Sequence, residues 1–584
     1  MTIVETDVLI VGTGPAGGTA ALALATYGVD CIAVSQFGGP SRTPRAHITN
    51  QRTMEVLRDL GVEEEAKQFA QPQEMMANNV FCTSLAGEEL GRIHSWGNHP
   101  QRRADYELAS PSSMCDLPQN FLEPVLINNA VKRGANIRFN TEFVSHEQDA
   151  TGVTAKVVDK LTGQEYSIRA KYLIGADGGN SKVVEQAGLP LAGKMGVAGS
   201  MNIIFEADLS AYVAHRPSVL YCIIQPGANV GGVGMGILRM IKPWKRWMVV
   251  YGYDLAEGAP EMTDDFAKGI VRSLVGVDDL DVEIDSTSLW TVNNCWAETL
   301  SKGRVFAVGD AVHRHPPTNG LGSNTSVQDS YNLAWKLAYI LKGFAGEKLL
   351  ESYNDERAPV AEQIVSRAGR SIGEYGPIFG ALGLADAADV DAMKKGIEAR
   401  KDNTSEGKKR RADLRSAIRA KDYEYNAHGV ELNQRYVSTA VHAGNDVHRP
   451  FQRCAELYYQ PSSAPGAKLP HVWLNRRSHK VSTLDVVGGG SFTLLTGIGG
   501  DAWVEAANQM AKRTGVTVKS VQIGPGCDYD DMFGDWSDLS EIDEDGCLLV
   551  RPDGYVAWRS KTAPGVDGAQ QINSAFDACL SLAT

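Results

Sequence analysis

Apolar and polar positions along this chain follow two different periods. Val8 to Val11 and Cys31 to Val34 are runs of consecutive apolar residues around the alanine-rich "GPAGGTAALALAT". Such runs suit strands buried on both faces of a parallel sheet, so the pattern predicts a strand over 7–11, a helix over 15–26 and a strand over 30–34. The spacing of Met54, Leu57 and Leu60 predicts a helix closed by Gly61. No clear period covers 75–110. "NFLEPVLINNAVKRGANIRFN" reads as a helix running into a strand, and "YLIGADGGNSKVVEQAG" repeats the strand, glycine turn and helix. Between 197 and 290 the period shortens to two, as in "SVLYCIIQP" and "RWMVVYGYD", which predicts a mostly antiparallel sheet. The first pattern returns in "GRVFAVGDAVHRHPPTNGLGSNTSVQDSYNLAWKLAYIL". A polar stretch follows, whose KKRR run at 408–411 reads as a solvated helix face. From about 465 the order is a strand over 471–474, the strand "SFTLLTG", the helix "AWVEAANQMAKRTG", the strand "VTVKSVQIG", a hairpin "CLLVRPDGYVAWR" turning at Pro552, Asp553 and Gly554, and a last helix.

Composition narrows the classes. The 584 residues exceed one core and predict about three or four domains. A net charge of −13, from 57 basic and 70 acidic residues, argues against nucleic acid or an anionic membrane as partner. The nine cysteines form no C-x-x-C pair, which disfavours a disulfide framework, a zinc ribbon or any other metal site, and a dithiol centre, and favours a reducing cytoplasm. The acidic start "MTIVETD" lacks the basic region of a signal peptide, and no window holds 18 uninterrupted apolar residues. A soluble, cytoplasmic protein is expected.

Gly12, Gly14 and Gly17 form G-x-G-x-x-G between a strand and a helix, the setting in which such a turn grips a dinucleotide. Gly12 would permit the tight turn, Gly14 the approach of a pyrophosphate, and Gly17 close packing of helix on strand. Pro15 and Ala16 open the helix whose N-terminus faces the anion. The second strand of such a unit should end in an acid that holds the ribose, but here stand Ser35 and Gln36. The residues alone leave three readings: a false positive, a nucleotide bound without the acid, or NADP read by Arg42. "GGVGMGIL" at 231–238 has the wrong spacing for a second fingerprint.

"GADGGNS" at 175–181 and "GDAVHRHPPTNGLGSN" at 309–324 follow the glycine turn in the order and at the separations that resemble the three fingerprints of the FAD-dependent aromatic hydroxylases, in their phenol hydroxylase branch. The resemblance covers the chain to about residue 375, and "LLVRPDGYVAWR" extends it to the C-terminus. It implies an α/β fold: a discontinuous Rossmann-like FAD-binding domain (1–75, 111–190, 291–385) with an inserted, mostly antiparallel substrate domain (76–110, 191–290). A helical segment (386–460) and a thioredoxin-like domain without C-x-x-C (461–584) complete it. By resemblance, Asp310 would bond the ribityl chain of tightly bound FAD, and 316–324 would run along the isoalloxazine, with Gly320 and Gly322 allowing close backbone approach. Ser323 and Asn324 open a helix whose N-terminus favours charge on reduced flavin. A carbonyl of Pro316 or Pro317 would face the substrate. Arg45 and Gln119 match positions that contact the FAD phosphates and ribityl, and Asp177 matches the DG motif. Val184 stands where the family usually has Arg, which removes one expected charge contact.

The resemblance also implies a reaction: NAD(P)H, bound transiently, and O2 hydroxylate a substituted phenol beside its OH to give a catechol. His47 lies where phenol hydroxylase carries an active-site acid. A phenol ionises near pH 10, and a neutral imidazole of pKa about 6.5 can take its proton when hydrogen-bonded to it. His313 is expected to be structural. The strand over 219–224 offers no Arg for a substrate carboxylate, although Arg239, Lys242, Lys245 or Arg246 could turn inward. With FAD specified downstream, Ser35 and Gln36 become neutral ribose partners and a weak point of the site. A homodimer or homotetramer is implied by resemblance only. Alternatives are a hydroxylase of another aromatic such as a hydroxybenzoate, resorcinol or polyketide, an NADP dehydrogenase, or a non-catalytic nucleotide-binding protein.

Overall fold

Consecutive apolar strands with crossover helices can satisfy their backbone only inside a sheet covered on both faces, and among the described residues the chain builds two large sheets and three small ones. A computed structural model describes residues 3–226, 235–385, 387–565 and 567–582. Its first sheet places Val305–Ala307, Glu165–Gly175, Ile3–Val11, Cys31–Val34 and Asn136–Arg138 side by side, all parallel. The helix Pro15–Thr26 covers it, as the alanine pattern predicts, and Asn50 caps the helix Gln51–Asp59 by accepting the Thr53 N–H.

The second, eight-stranded sheet runs His313–Arg314, Glu283–Ala297, Leu191–Glu206, Arg246–Tyr253, Met235–Lys242, Ser218–Ile224, Asn78–Cys82, Glu89–His94. It is antiparallel except where Ser218–Ile224 meets Asn78–Cys82. The 75–110 stretch, unreadable by period, supplies its last two strands. Residues 227–234, which include part of "GGVGMGIL", lie outside the described residues; a strand, Met235–Lys242, follows them.

The C-terminal sheet orders Val518–Gln522, Phe492–Thr496, Cys547–Val550 and Val556–Ser560, the first pair parallel and the rest antiparallel. The strand expected over 471–474 is corrected: it is Trp473–Arg476, and it stays out of this sheet. Arg477 and Ser478 both take positive φ, 47° and 67°, and this tight turn pairs the strand with His479–Ser482 instead. The KKRR run lies on the helix Ser405–Ala420, with Lys408 and Lys409 exposed.

The helix Gly322–Leu341 joins the units. It is buried along almost its whole length, and Trp335 meets Phe492 of the C-terminal sheet edge-on at 6.0 Å, so both belong to one continuous core. Among the described residues no helix is long and apolar enough to cross a membrane, no group of three or more His, Cys, Asp or Glu could hold a metal, and the nine cysteines are unpaired.

Candidate active site

A miniature sheet sets the chemistry. Ile48–Thr49 pairs antiparallel with Cys115–Asp116, Ile48 opposite Asp116, and the His47 carbonyl accepts the Leu117 N–H at 2.7 Å. That register brings His47 Nδ1 to 3.0 Å from Asp116 Oδ2. Because a carboxylate only accepts, Nδ1 carries the proton and Nε2 presents its lone pair. Arg239 reaches in from Met235–Lys242, its side chain 1% exposed. It donates to the carbonyls of Pro44 and Arg45, the latter at 2.8 Å, and lies 3.9 Å from Asp116 Oδ1. Its Nε and NH2 nitrogens make no hydrogen bond within the protein, the 3.9 Å approach of NH2 to Asp116 being too long for one. Burial lowers the His47 pKa below its usual 6.5, Arg239 adds to this and Asp116 opposes it, so the ring is a neutral base at pH 7. Burial lowers Arg239 to about 10 against the pull of Asp116, which leaves it cationic.

On the sheet face that carries Arg239, its cross-strand neighbours are Leu220 and Met248, and the next row is Cys222, Ile237, Val250 and Asn202. Leu220, Ile237 and Val250 are only half-buried although their strands are central, so they form an apolar wall beside open space. Of the four cations considered, Arg239 alone turns inward. Lys242 and Lys245 are exposed, and Arg246 pairs with Asp285.

The loop 309–324 packs against the His47 strand. Asp310 is exposed. His313 is buried, its Nε2 2.8 Å from Asp329 Oδ2. The Pro316 carbonyl accepts from His315 Nδ1 at 2.6 Å, whereas that of the exposed Pro317 receives only a 3.4 Å contact from the Gly320 N–H. Burial lowers His315 to about 4, so it stays neutral. Gly320 has φ +63°, and a Cβ there would lie 2.8 Å from that of Ile48. The Asn324 side chain donates to the carbonyls of Ile48 and Gly320 at 2.8 and 2.6 Å and accepts the Asn50 N–H at 3.0 Å. It therefore ties the His47 strand to this loop.

The glycine turn divides by cause. A Cβ on Gly12, at φ +105°, would lie 2.1 Å from the Ala176 carbonyl oxygen, and one on Gly17 would lie 2.0 Å from that of Gly12. Packing therefore accounts for both. A Cβ on Gly14 would meet nothing nearer than Glu123 Oε1 at 3.8 Å, and no side chain caps the helix that begins at Pro15. Open space before free N–H groups fits a pyrophosphate, and Ala16 lies in that first turn. Around it, Glu123 accepts from Gln119 Nε2 and from the Ser41 N–H, each at 2.6 Å, and Arg45 is exposed. Burial raises the Glu123 pKa, which limits its repulsion of an anion.

Ser35 and Gln36 follow the strand Cys31–Val34, where a ribose is expected. Ser35 is buried, its hydroxyl only 3.4 Å from the Phe37 N–H, and Gln36 is exposed. Asp177 accepts from Ser181 Oγ at 2.5 Å and from the Val183 N–H at 3.1 Å, so its carboxylate serves the turn before Lys182–Ala187. Val184, in the expected Arg position, is buried.

Asp116 was not singled out by the sequence reasoning, although it stands three residues before Gln119. Arg239 was one of four candidates, and its signal is a lone cation amid the apolar residues of "GILRMI". Comparisons with known proteins bear on the whole assembly. Residues 5–368 match the FAD binding domain family and 462–581 the aromatic-ring hydroxylase C-terminal family. The chain is 57% identical over 559 residues to the 2,4-dichlorophenol 6-monooxygenase of Delftia acidovorans, covering 96% of this chain and 95% of that protein. It is 50% identical over 562 residues to the phenol 2-monooxygenase of Pseudomonas sp. (strain EST1001), covering 96% and 90%. The crystal structure of the flavin-dependent monooxygenase PieE in complex with FAD and substrate superposes with a TM-score of 0.95 at 43% identity, covering 99% of this chain and 100% of that one.

Proposed function

The chain belongs to the FAD-binding aromatic hydroxylase family, and from that premise we propose how its own residues carry the reaction. It is an FAD-dependent monooxygenase that uses NAD(P)H and O2 to hydroxylate a phenol ortho to its OH. The observation that carries the residue assignment is the His47–Asp116–Arg239 cluster beside an apolar wall.

The ring of the phenol rests on Leu220, Ile237 and Val250, and its oxygen meets His47 Nε2. His47 takes the phenol proton, and Asp116 stabilises the imidazolium through Nδ1. The unpartnered nitrogens of Arg239 receive the phenolate oxygen, whose charge raises electron density at the ortho carbon. FAD would supply the electrophilic oxygen that this carbon attacks, drawn from O2 with electrons from NAD(P)H. Gly12, Gly14, Pro15, Ala16 and Gly17 would hold its pyrophosphate end, with Arg45 beside it. Ser35 and Gln36 would hold the ribose, Gln119 and Asp310 the ribityl side, and 316–324 the ring, with the Asp177 turn touching the cofactor as the DG motif. Pro317 is the better placed of the two prolines to offer a carbonyl to substrate, since His315 occupies that of Pro316.

The domain limits given above form part of the proposal. The strand order of the C-terminal sheet, one parallel pair continued by an antiparallel hairpin, supports a thioredoxin-like unit, redox-inert without C-x-x-C. Unpaired cysteines support a cytoplasmic location, and a homodimer or homotetramer rests on the resemblance. A substituted phenol, chlorinated or aryl, is the substrate that the apolar wall and single cation suit.

The test is a phenol panel. The FAD-saturated protein is expected to be yellow, to oxidise NADPH faster when a phenol is added, and to release a catechol identified by mass spectrometry. NADPH oxidation indifferent to every phenol would sink the proposal. The ribose site has its own check. A carboxylate partner is worth about 1.5–3 kcal/mol against about 1 for a neutral one, so Ser35→Glu is expected to slow FAD loss on dilution; unchanged loss would place the ribose elsewhere.

A further inference from the structure

The hairpin tip over 551–555, "RPDGY", takes no part in this chemistry, yet it is buried against the FAD-binding half. Arg551 is 0% exposed and donates to both carboxylate oxygens of Glu356, at 2.6 and 2.9 Å, and to both of Asp553, at 3.0 and 2.6 Å. Asp553 accepts from Trp335 Nε1 at 3.2 Å and Asn332 Nδ2 at 3.3 Å, both on the helix Gly322–Leu341 that follows the flavin loop. Buried charges of this kind are tolerated only with every partner in place, because each costs several kcal/mol to desolvate. The tip is therefore fixed relative to that helix.

A second line of bonds runs from the tip into the flavin loop. Gln434 Oε1 accepts from Tyr555 OH at 3.4 Å, Tyr436 OH at 3.3 Å and Arg357 NH1 at 2.9 Å. Gln434 Nε2 donates to Gln328 Oε1 at 3.1 Å, and because the Arg357 guanidinium can only donate, it fixes the amide with Oε1 turned towards it. Arg357 NH1 also donates to Tyr436 OH at 2.9 Å, and its Nε to Asp329 Oδ1 at 2.7 Å. The second oxygen of Asp329 accepts from the Gly309 N–H at 3.1 Å and bonds His313 Nε2 at 2.8 Å. Gly309 and His313 flank Asp310. Every side chain in this line from Gln434 to His313 is at least nine-tenths buried.

We propose that Gln434, backed by Tyr436 and by Tyr555 of the C-terminal hairpin, is a positioning residue for the flavin site: it orients Arg357 so that Asp329 holds the Gly309 turn and the His313 ring beside Asp310. The C-terminal unit thereby contributes to cofactor retention without touching the cofactor. This rests on the reading of 309–324 as the flavin loop.

The experiment measures FAD binding to apoprotein, the absorption bands of bound FAD, and the melting temperature of the apoprotein, for wild type and three variants. Gln434→Leu removes one of the two acceptors of Arg357 NH1 and is expected to weaken FAD about tenfold or more and to shift the bands, one charge-assisted hydrogen bond being worth at least that factor. Gln434→Glu restores an acceptor and is expected to recover most of the affinity. Arg559→Met breaks pairs with Asp446 and Glu541 at the far end of the hairpin. It should lower the melting temperature yet leave the FAD dissociation constant within about twofold. If Gln434→Leu fails to fold, Tyr436→Phe removes one acceptor of Arg357 and should shift the same readouts in the same direction. Wild-type affinity and unshifted bands in the folded Gln434 variant, or equal weakening by Arg559→Met, would overturn the inference. A wild type that binds no FAD would instead overturn the reading on which it rests.

Discussion

Replacing His47 by glutamine is expected to lower phenol hydroxylation at neutral pH by about a hundredfold or more while FAD and NADPH binding stay intact, a positioned general base contributing about 10²–10⁴-fold. Glutamine can still hydrogen-bond Asp116 and the substrate, but it cannot take a proton. The residual rate should then follow the fraction of phenol already ionised in solution and rise with pH towards the phenol's own pKa. A more acidic phenol, such as one with ring chlorines, should lose less. In the wild type the acid limb has a defined direction. The folded pKa of His47 lies below 6.5, chiefly through burial and then through Arg239. The neutral base is therefore present above that lowered pKa, and activity falls as pH drops through it. Removing the cation with Arg239→Met should move the acid limb up in pH and weaken phenolate binding together. Product formation measured by chromatography from pH 5 to 10 separates these outcomes. An unchanged rate in His47→Gln would reassign the base.

Replacing Gly14 by alanine is expected to leave the apoprotein folded and to abolish tight FAD binding. At φ −67° and ψ −169° an alanine backbone is unstrained, and its Cβ would find only Glu123 Oε1, at 3.8 Å. Nothing in the protein therefore requires glycine there; a bound pyrophosphate at this turn would. Gly12→Ala is the contrast. Its Cβ would meet the Ala176 carbonyl at φ +105°, and strain of this kind costs about 1–3 kcal/mol before any steric clash is counted. Gly12→Ala should lower the melting temperature of the apoprotein, and Gly14→Ala should not. Calorimetry on the apoproteins and fluorescence titration with FAD read the two effects apart. FAD bound by Gly14→Ala as tightly as by wild type would show that the cofactor does not approach this turn.

The elements legible in the sequence were those with local causes. The helix Pro15–Thr26 is where the alanine run and its proline put it, and the antiparallel lobe was legible as a series of short strand runs, among them Ser218–Ile224, which is an apolar run buried on both faces rather than an alternating one. The 75–110 stretch was unreadable because its two strands sit at the edge of a large sheet, where burial is uneven and the period is broken. The strand at 473–476 was displaced because a turn of two positive-φ residues, neither of them glycine, chose its partner.

The site divides along the same line. Glycine spacing, the proline pair and His47 lie in continuous motifs: order and spacing by themselves picked out a glycine turn between strand and helix, while the reading of 309–324 as a flavin loop and of His47 as a base came from the family resemblance those motifs carry. That Asp116 orients His47, that Arg239 rather than Lys242 or Arg246 turns inward, that Asn324 ties the His47 strand to the 309–324 loop and that "RPDGY" ends against the FAD-binding half were decided only by the tertiary structure. Each of these pairs residues far apart in the chain, 69 for His47 and Asp116 and 274 for Asn50 and Asn324. Their hydrogen bonds are set by sheet register and helix docking, which arise from burial of the core as a whole and leave no period in the chain.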